Sequence, residues 1–171
     1  REGLHPGPIA LCSGPMNPQD PIPSRNAVVS LREVTADTLR SILRLKVSPQ
    51  QEQFVADNAT SIAQADYEPK AWFRAIYADE TPVGFVMLYD DTEKPEYFLW
   101  RYMIDGRYQG LGFGRQALLQ VIDIVRGRPG ATEMLLSYVP AEGSPEPFYA
   151  GLGFINTGDV EDGENVMRLE L

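Results

Sequence analysis

Met103-Ile104-Asp105-Gly106-Arg107-Tyr108-Gln109-Gly110-Leu111-Gly112-Phe113-Gly114-Arg115 is the stretch that decides how this chain is read. The apolar run Tyr97 to Ile104 enters it as a strand, and the amphipathic pattern Gly112 to Arg126 leaves it as a helix. Between them Gly110, Gly112 and Gly114 fall on alternate positions, with Arg107 and Arg115 on either side. Glycine has no Cβ, so backbone N–H groups there can turn toward one point and let an anion approach. A helix beginning at that point adds unpaired N–H groups and the positive end of its dipole. Strand, glycine turn and helix together make a seat for phosphates; a tight turn without a ligand is the competing reading of the same residues.

Working outward, Asn26 to Val34 reads as a first strand. Thr35 can cap a helix carrying Leu39, Ile42, Leu43 and Val47 on one face. Pro49 suits the first turn of a second helix, with Gln51, Phe54, Val55, Asn58, Ile62 and Ala65 sharing a face. Lys70 to Ala78 and Val83 to Tyr89 read as a hairpin, followed by a charged loop from Asp90 to Glu96. Downstream of the long helix, Arg128-Pro129-Gly130 is a stop signal and Glu133 to Val139 a strand. Ser144 to Gly151 is a short helix, and Phe154 to Asp159 and Asn165 to Leu171 are two closing strands. The sum predicts an α/β (α+β) domain over residues 27–171, a mostly antiparallel sheet interrupted by helices. Residues 1–26, with six prolines and no apolar period, read as a disordered tail.

The totals restrict the chemistry. The 171 residues suit one domain, and 43% apolar residues suffice for a core. No apolar run approaches the ~20 residues of a membrane span, and no secretory leader opens the chain. With one cysteine, Cys12, and one histidine, His5, both in the tail, neither a cysteine or histidine metal site nor a Ser-His-Asp triad is expected. The lone cysteine fits a cytoplasmic setting. A net charge of −9 speaks against nucleic acid as a partner and for a cationic one, or simply for solubility.

Gly110-Leu111-Gly112-Phe113-Gly114 does not fit a dinucleotide fingerprint, which needs G-x-G-x-x-G after the first strand of its fold. Nor is it a Walker A loop, because Arg115-Gln116 follows in place of Lys-Ser/Thr. What fits is Gln109-x-x-Gly112-x-Gly114, which resembles the pyrophosphate signature Q/R-x-x-G-x-G/A of the GNAT superfamily of N-acetyltransferases. Pro147-Phe148-Tyr149-Ala150-Gly151-Leu152-Gly153-Phe154 resembles a second segment of that superfamily. Gln51 to Asn58, Val83 to Met87, Arg101 to Asp105 and Leu136-Ser137-Tyr138 are similar to its bacterial spermine/spermidine (diamine) acetyltransferase branch. The likeness covers residues 28–171.

That resemblance implies the GNAT fold, with six or seven strands and two central parallel strands, Tyr97–Ile104 and Glu133–Val139, splaying apart. Acetyl-CoA would lie in the V, its pantetheine arm on Met103 and Ile104. Gln109, Gly110, Leu111, Gly112, Phe113 and Gly114 would wrap the pyrophosphate, with Arg115 nearby. The superfamily often carries an Asn some residues before a tyrosine at the position of Tyr149; here Ser144 substitutes for it or the contact is absent. Tyr149 would be the general acid that protonates the departing thiolate. Amine attack would be direct, with oxyanion support from N–H groups near Met103 and Ile104. On the acceptor side stand Glu52, Trp72 and Arg101, with Trp100 and Tyr102 as further aromatic candidates. The carboxylates Glu52, Asp90, Asp91, Glu96 and Asp105 are all candidates to help deprotonate the amine.

Three functions follow from these readings. The first is acetylation of a small cationic amine such as spermidine or spermine, by an enzyme that needs no metal and could pair as a homodimer. The second is acetylation of a protein, peptide or antibiotic amine. The third is an acyl-CoA sensor without catalysis, against which the retained Tyr149 argues.

Overall fold

The computed structural model describes residues 21–171. Most of the expected tail, with His5 and Cys12, lies outside the described residues. The rest forms one seven-stranded sheet with helices on both faces. Strand β1 spans Val29–Arg32, β2 Ala71–Ala78, β3 Thr81–Asp91, β4 Glu96–Ile104, β5 Glu133–Tyr138, β6 Ile155–Glu161 and β7 Glu164–Glu170. Helix α1 spans Leu39–Leu43, α2 Asn58–Asp66, α3 Phe113–Arg126 and α4 Glu146–Ala150. The spatial order is β1-β2-β3-β4-β5-β7-β6, so the last strand inserts between its two predecessors. Every pairing is antiparallel except β4 with β5. No helix among the described residues is long and apolar enough to cross a membrane.

The central pair splays as expected. β4 and β5 are in register only at Phe98 with Leu135 and Leu99 with Leu136. Beyond Leu99, β4 keeps β3 on one edge and, among the described residues, has no strand on the other. A β-bulge helps to part them: Met87 faces Arg101 while Leu88 faces Leu99, which makes Trp100 the extra residue. The bulge shifts the side-chain alternation, so Leu99 and Tyr102 pack on the α3 face while Trp100 and Met103 pack on the α1–α2 face.

The α3 face holds the larger core. Phe113, Ala117, Leu118, Val121, Ile122 and Val125 form one buried stripe on α3. Each fully buried aliphatic side chain there contributes about 1.5–3 kcal/mol. Phe148, Tyr149, Leu152 and Phe154 extend the same core around α4. On the opposite face Ile42 and Leu45 join Tyr77, Phe85, Met87 and Met103.

Two expectations about the α1–α2 segment do not hold. The first helix ends at Leu43 rather than running to Val47. Tertiary bonds pull the next residues out of helical form: the Lys46 N–H donates to the Asp105 carboxylate (3.0 Å), and the Lys46 carbonyl accepts from Gly106 (2.9 Å). Ser48 is then extended, as a residue before proline prefers. The single helix expected from Pro49 to Ala65 is also broken, into a 3-10 turn at Pro49–Gln51 and α2 from Asn58. Asp57 makes the new start, its carboxylate accepting from the Thr60 N–H at 2.7 Å. Asn58, buried behind it, donates to the Ile42 carbonyl at 2.8 Å and so pins α2 to α1.

Candidate active site

The turn after β4 is built by three glycines with two different jobs. Gly110 and Gly112 have φ of +73° and +90°, a left-handed conformation that disfavours side chains. A Cβ on Gly110 would meet nothing within 4 Å, so the turn is open where a ligand would approach. Gly114 is different: a Cβ there would come within 3.2 Å of Ile104, and Phe148 stands behind it. It lets α3 lie close against the end of β4.

No backbone N–H from Gly110 to Arg115 donates to another protein atom among the described residues. These donors cluster at the positive end of a 14-residue helix. Gln109 braces the turn from below, its amide donating to the Ile104 carbonyl (2.8 Å) and pairing with the Gln51 side chain. The Gln51 partner was not foreseen, because no short motif links two glutamines so far apart in sequence. Leu111 is half-buried against the core, and Phe113 is fully buried. Arg115 reaches away from the turn to the Gly151 carbonyl at 3.0 Å, tying α3 to the end of α4.

Tyr149 lies on α4, 7% exposed, with ring neighbours Phe148 at 5.3 Å and Phe154 at 6.0 Å. Its hydroxyl has no hydrogen-bond partner among the described residues, and it is not among the sealed polar atoms. Burial pushes its phenol well above the ordinary value, so it stays protonated and able to donate at neutral pH. The neighbouring Tyr102 is also raised, by burial and by the nearness of Tyr149. Its hydroxyl is already spent on the Gly114 carbonyl, and its ring stacks on Phe148 at 6.0 Å. Ser144 is half-buried in the turn before α4, its N–H bonded to the Ala141 carbonyl at 3.0 Å.

The three aromatic candidates do not form one wall. Trp100 faces α1 and α2, whereas Trp72 and Tyr102 pack on the α3 face. The register explains it: Trp72 pairs with Leu88, whose side chain belongs to the α3 core, Trp100 follows Leu99 onto the other face, and the bulge returns Tyr102 to the α3 side. Arg74 covers the Trp72 ring at 4.7 Å. Arg101 lies on the α1–α2 face, 5.6 Å from the Trp100 ring, donating to the Gln64 side chain of α2 at 3.0 Å. Burial lowers its pKa, with Glu164 opposing.

Among the carboxylates, Asp90 is paired with Arg128 (2.7 Å) and Asp91 with Lys70 (3.1 Å). Asp105 is paired with Arg107 at 2.8 Å. Burial resists ionisation of Asp105, but bonds from Arg107 and from the Lys46 backbone outweigh it and hold the carboxyl below the usual range. Glu52 and Glu96 are exposed and unpaired among the described residues. Glu96 borders a cavity of about 540 Å³ on the α1–α2 face, where Glu68, Glu96 and Glu133 surround Tyr89, Phe98 and Trp100. Sequence reasoning missed Glu68 and Glu133, which only the sheet brings together.

Residues 36–154 match the model of the acetyltransferase (GNAT) family. The chain is 28% identical over 152 residues to the spermine/spermidine N(1)-acetyltransferase of Bacillus subtilis, covering 84% of this chain and 99% of that protein. The structure of the PaiA N-acetyltransferase of Thermoplasma acidophilum, solved in complex with coenzyme A, superposes with a TM-score of 0.63 at 18% identity, over 84% of this chain and 99% of that one. A Bacillus subtilis acetyltransferase in complex with CoA gives 0.61 at 16% identity, over 85% and 99%. With the family model spanning the splayed strands, the open amides after β4 and Tyr149, this chain belongs to the acetyltransferase (GNAT) family and is an acetyl-CoA-dependent N-acetyltransferase.

Proposed function

We propose that the acceptor is a small polyamine of the spermidine or spermine class, acetylated on a primary amine. The observation that carries this reading is the cavity of Glu68, Glu96 and Glu133 around Tyr89, Phe98 and Trp100. It runs along β4 toward the point where β4 and β5 part. Carboxylates suit ammonium groups, and rings suit both the cations and the methylene chain between them. The 28% identity to a Bacillus subtilis enzyme named for spermine and spermidine supports the same class.

The residues fit the cosubstrate. The free amides of Gly110 to Arg115 suit a diphosphate, and the unpaired edge of β4 from Trp100 to Ile104 suits the amide groups of a pantetheine arm. Acetyl-CoA, when bound, supplies an acyl carbon activated as a thioester. Tyr149 then serves as the donor to the leaving sulfur, its proton replacing the broken C–S bond. An alkylammonium has a pKa of about 10.4, so little of it is nucleophilic at neutral pH. Of the five candidate carboxylates, Glu52 and Glu96, unpaired among the described residues, are placed to take its proton, directly or through water.

The test is release of free CoA from acetyl-CoA with spermidine, spermine, putrescine, a lysine peptide and an aminoglycoside. Spermidine and spermine should turn over fastest, with KM rising as salt is added. Turnover with the peptide or aminoglycoside and none with the polyamines overturns the acceptor assignment. CoA binding without turnover on any amine would favour the sensor.

A further inference from the structure

A second concavity, also about 540 Å³, opens between the end of α1 and the turn after β4. Arg44, Lys46, Ser48, Asp105, Gly106 and Arg107 contribute to its wall. In a protein of net charge −9 this pocket is locally positive. Its one carboxylate, Asp105, is already neutralised by Arg107, which holds it through two side-chain hydrogen bonds of 2.8 and 3.1 Å. The Arg44 guanidinium and Lys46 ammonium have no carboxylate within 4.0 Å among the described residues. The Ser48 hydroxyl also makes no hydrogen bond among them.

The pocket is held open by backbone rather than by side chains. Lys46 bonds to Asp105 and Gly106 through its main chain (3.0 and 2.9 Å), so those bonds do not engage its ammonium. Gly106 backs directly onto Ser48, where a Cβ would come within 3.1 Å of the Ser48 nitrogen. Two like charges stand beside a hydroxyl donor, and the Asp57 carboxylate acts on Lys46 only from beyond ion-pair distance, which leaves the pocket attractive to an anion.

We propose that this pocket binds a phosphate dianion, with Arg44 and Lys46 as its charge partners and Ser48 as a donor. The phosphate has two possible sources. One is the ribose 3′-phosphate of CoA held at the neighbouring glycine turn, which rests on the cosubstrate reading above. The other is free phosphate, which does not.

Calorimetric titration of the whole chain tests this with inorganic phosphate, CoA and dephospho-CoA. Each is run on the wild type, on Arg44→Ala/Lys46→Ala, and on Lys94→Ala/Arg126→Ala as a charge-matched control at the far end of the sheet. Inorganic phosphate should bind the wild type and the control, and about tenfold or more weakly the pocket variant. If CoA is the source, CoA should bind about tenfold more tightly than dephospho-CoA, and the pocket variant should erase that ratio. If free phosphate is the source, the ratio is near one throughout and phosphate still binds with CoA present. No heat from phosphate, together with a CoA ratio that the pocket variant leaves unchanged, overturns the proposal. Failure of both nucleotides to bind the wild type would instead overturn the cosubstrate reading, and the phosphate titration would still decide this site.

Discussion

Replacing Tyr149 with Phe isolates one hydroxyl. In the folded protein that hydroxyl has no hydrogen-bond partner among the described residues, and the ring is held by edge contacts to Phe148 and Phe154. Phenylalanine keeps those contacts, so stability should change by no more than about 0.5 kcal/mol. If the hydroxyl donates to the departing thiolate, turnover should fall by about 10²-fold or more, the range for a general acid. CoA affinity should stay nearly constant. Tyr102→Phe is the matched control, one buried tyrosine away. Its hydroxyl donates to the Gly114 carbonyl, so its loss should cost about 1 kcal/mol of stability and affect turnover much less. Wild-type turnover should also persist to higher pH than an ordinary phenol would allow, because burial raises the Tyr149 pKa and ionisation would remove the acid. Saturating initial rates of thiol release and thermal melts of both variants separate the two roles. Equal turnover in wild type and Tyr149→Phe would falsify the acid assignment. So would a fall in rate that tracks a fall in melting temperature.

The glycines should divide. Gly112→Ala places a side chain at φ +90° and costs about 1–2 kcal/mol while weakening CoA binding. Gly114→Ala crowds Ile104 at 3.2 Å and should lower the melting temperature by an overpacking cost of about 1–3 kcal/mol. Asp57→Ala removes the α2 cap and should cost about 1 kcal/mol in denaturant unfolding. Asp105 has a folded pKa below its unfolded one, so its contribution is present above the unfolded pKa and is lost as pH falls through the folded value. Acid unfolding of Asp105→Asn should therefore be shallower below pH ~4 than that of the wild type; an identical slope would remove Asp105 as a stabilising group.

How much of this was legible depended on the range of each signal. The long helix, the glycine turn and the sheet strands carry their period or their φ demand locally, and they appear where the residues put them. The α1–α2 segment was misread because its apolar spacing from Gln51 to Ala65 satisfies a helix, while Asp57 starts a new one and Lys46 is recruited by Asp105 from far along the chain. The bulge at Trp100 has no sequence mark, yet it puts Trp100 and Tyr102 on opposite faces of the sheet. The Glu68, Glu96 and Glu133 cluster comes from three separate elements that only the assembled sheet makes neighbours.

The parallel seam between β4 and β5 is only two residues long. It divides the sheet into two rafts, β1 to β4 and β5 with β7 and β6, which β4 itself joins by almost nothing. A ligand lying in that gap would act as a removable strand, so the occupied protein should resist hydrogen exchange along β4 and β5 more than the empty one. Each catalytic cycle would then stiffen and loosen the whole sheet along that line.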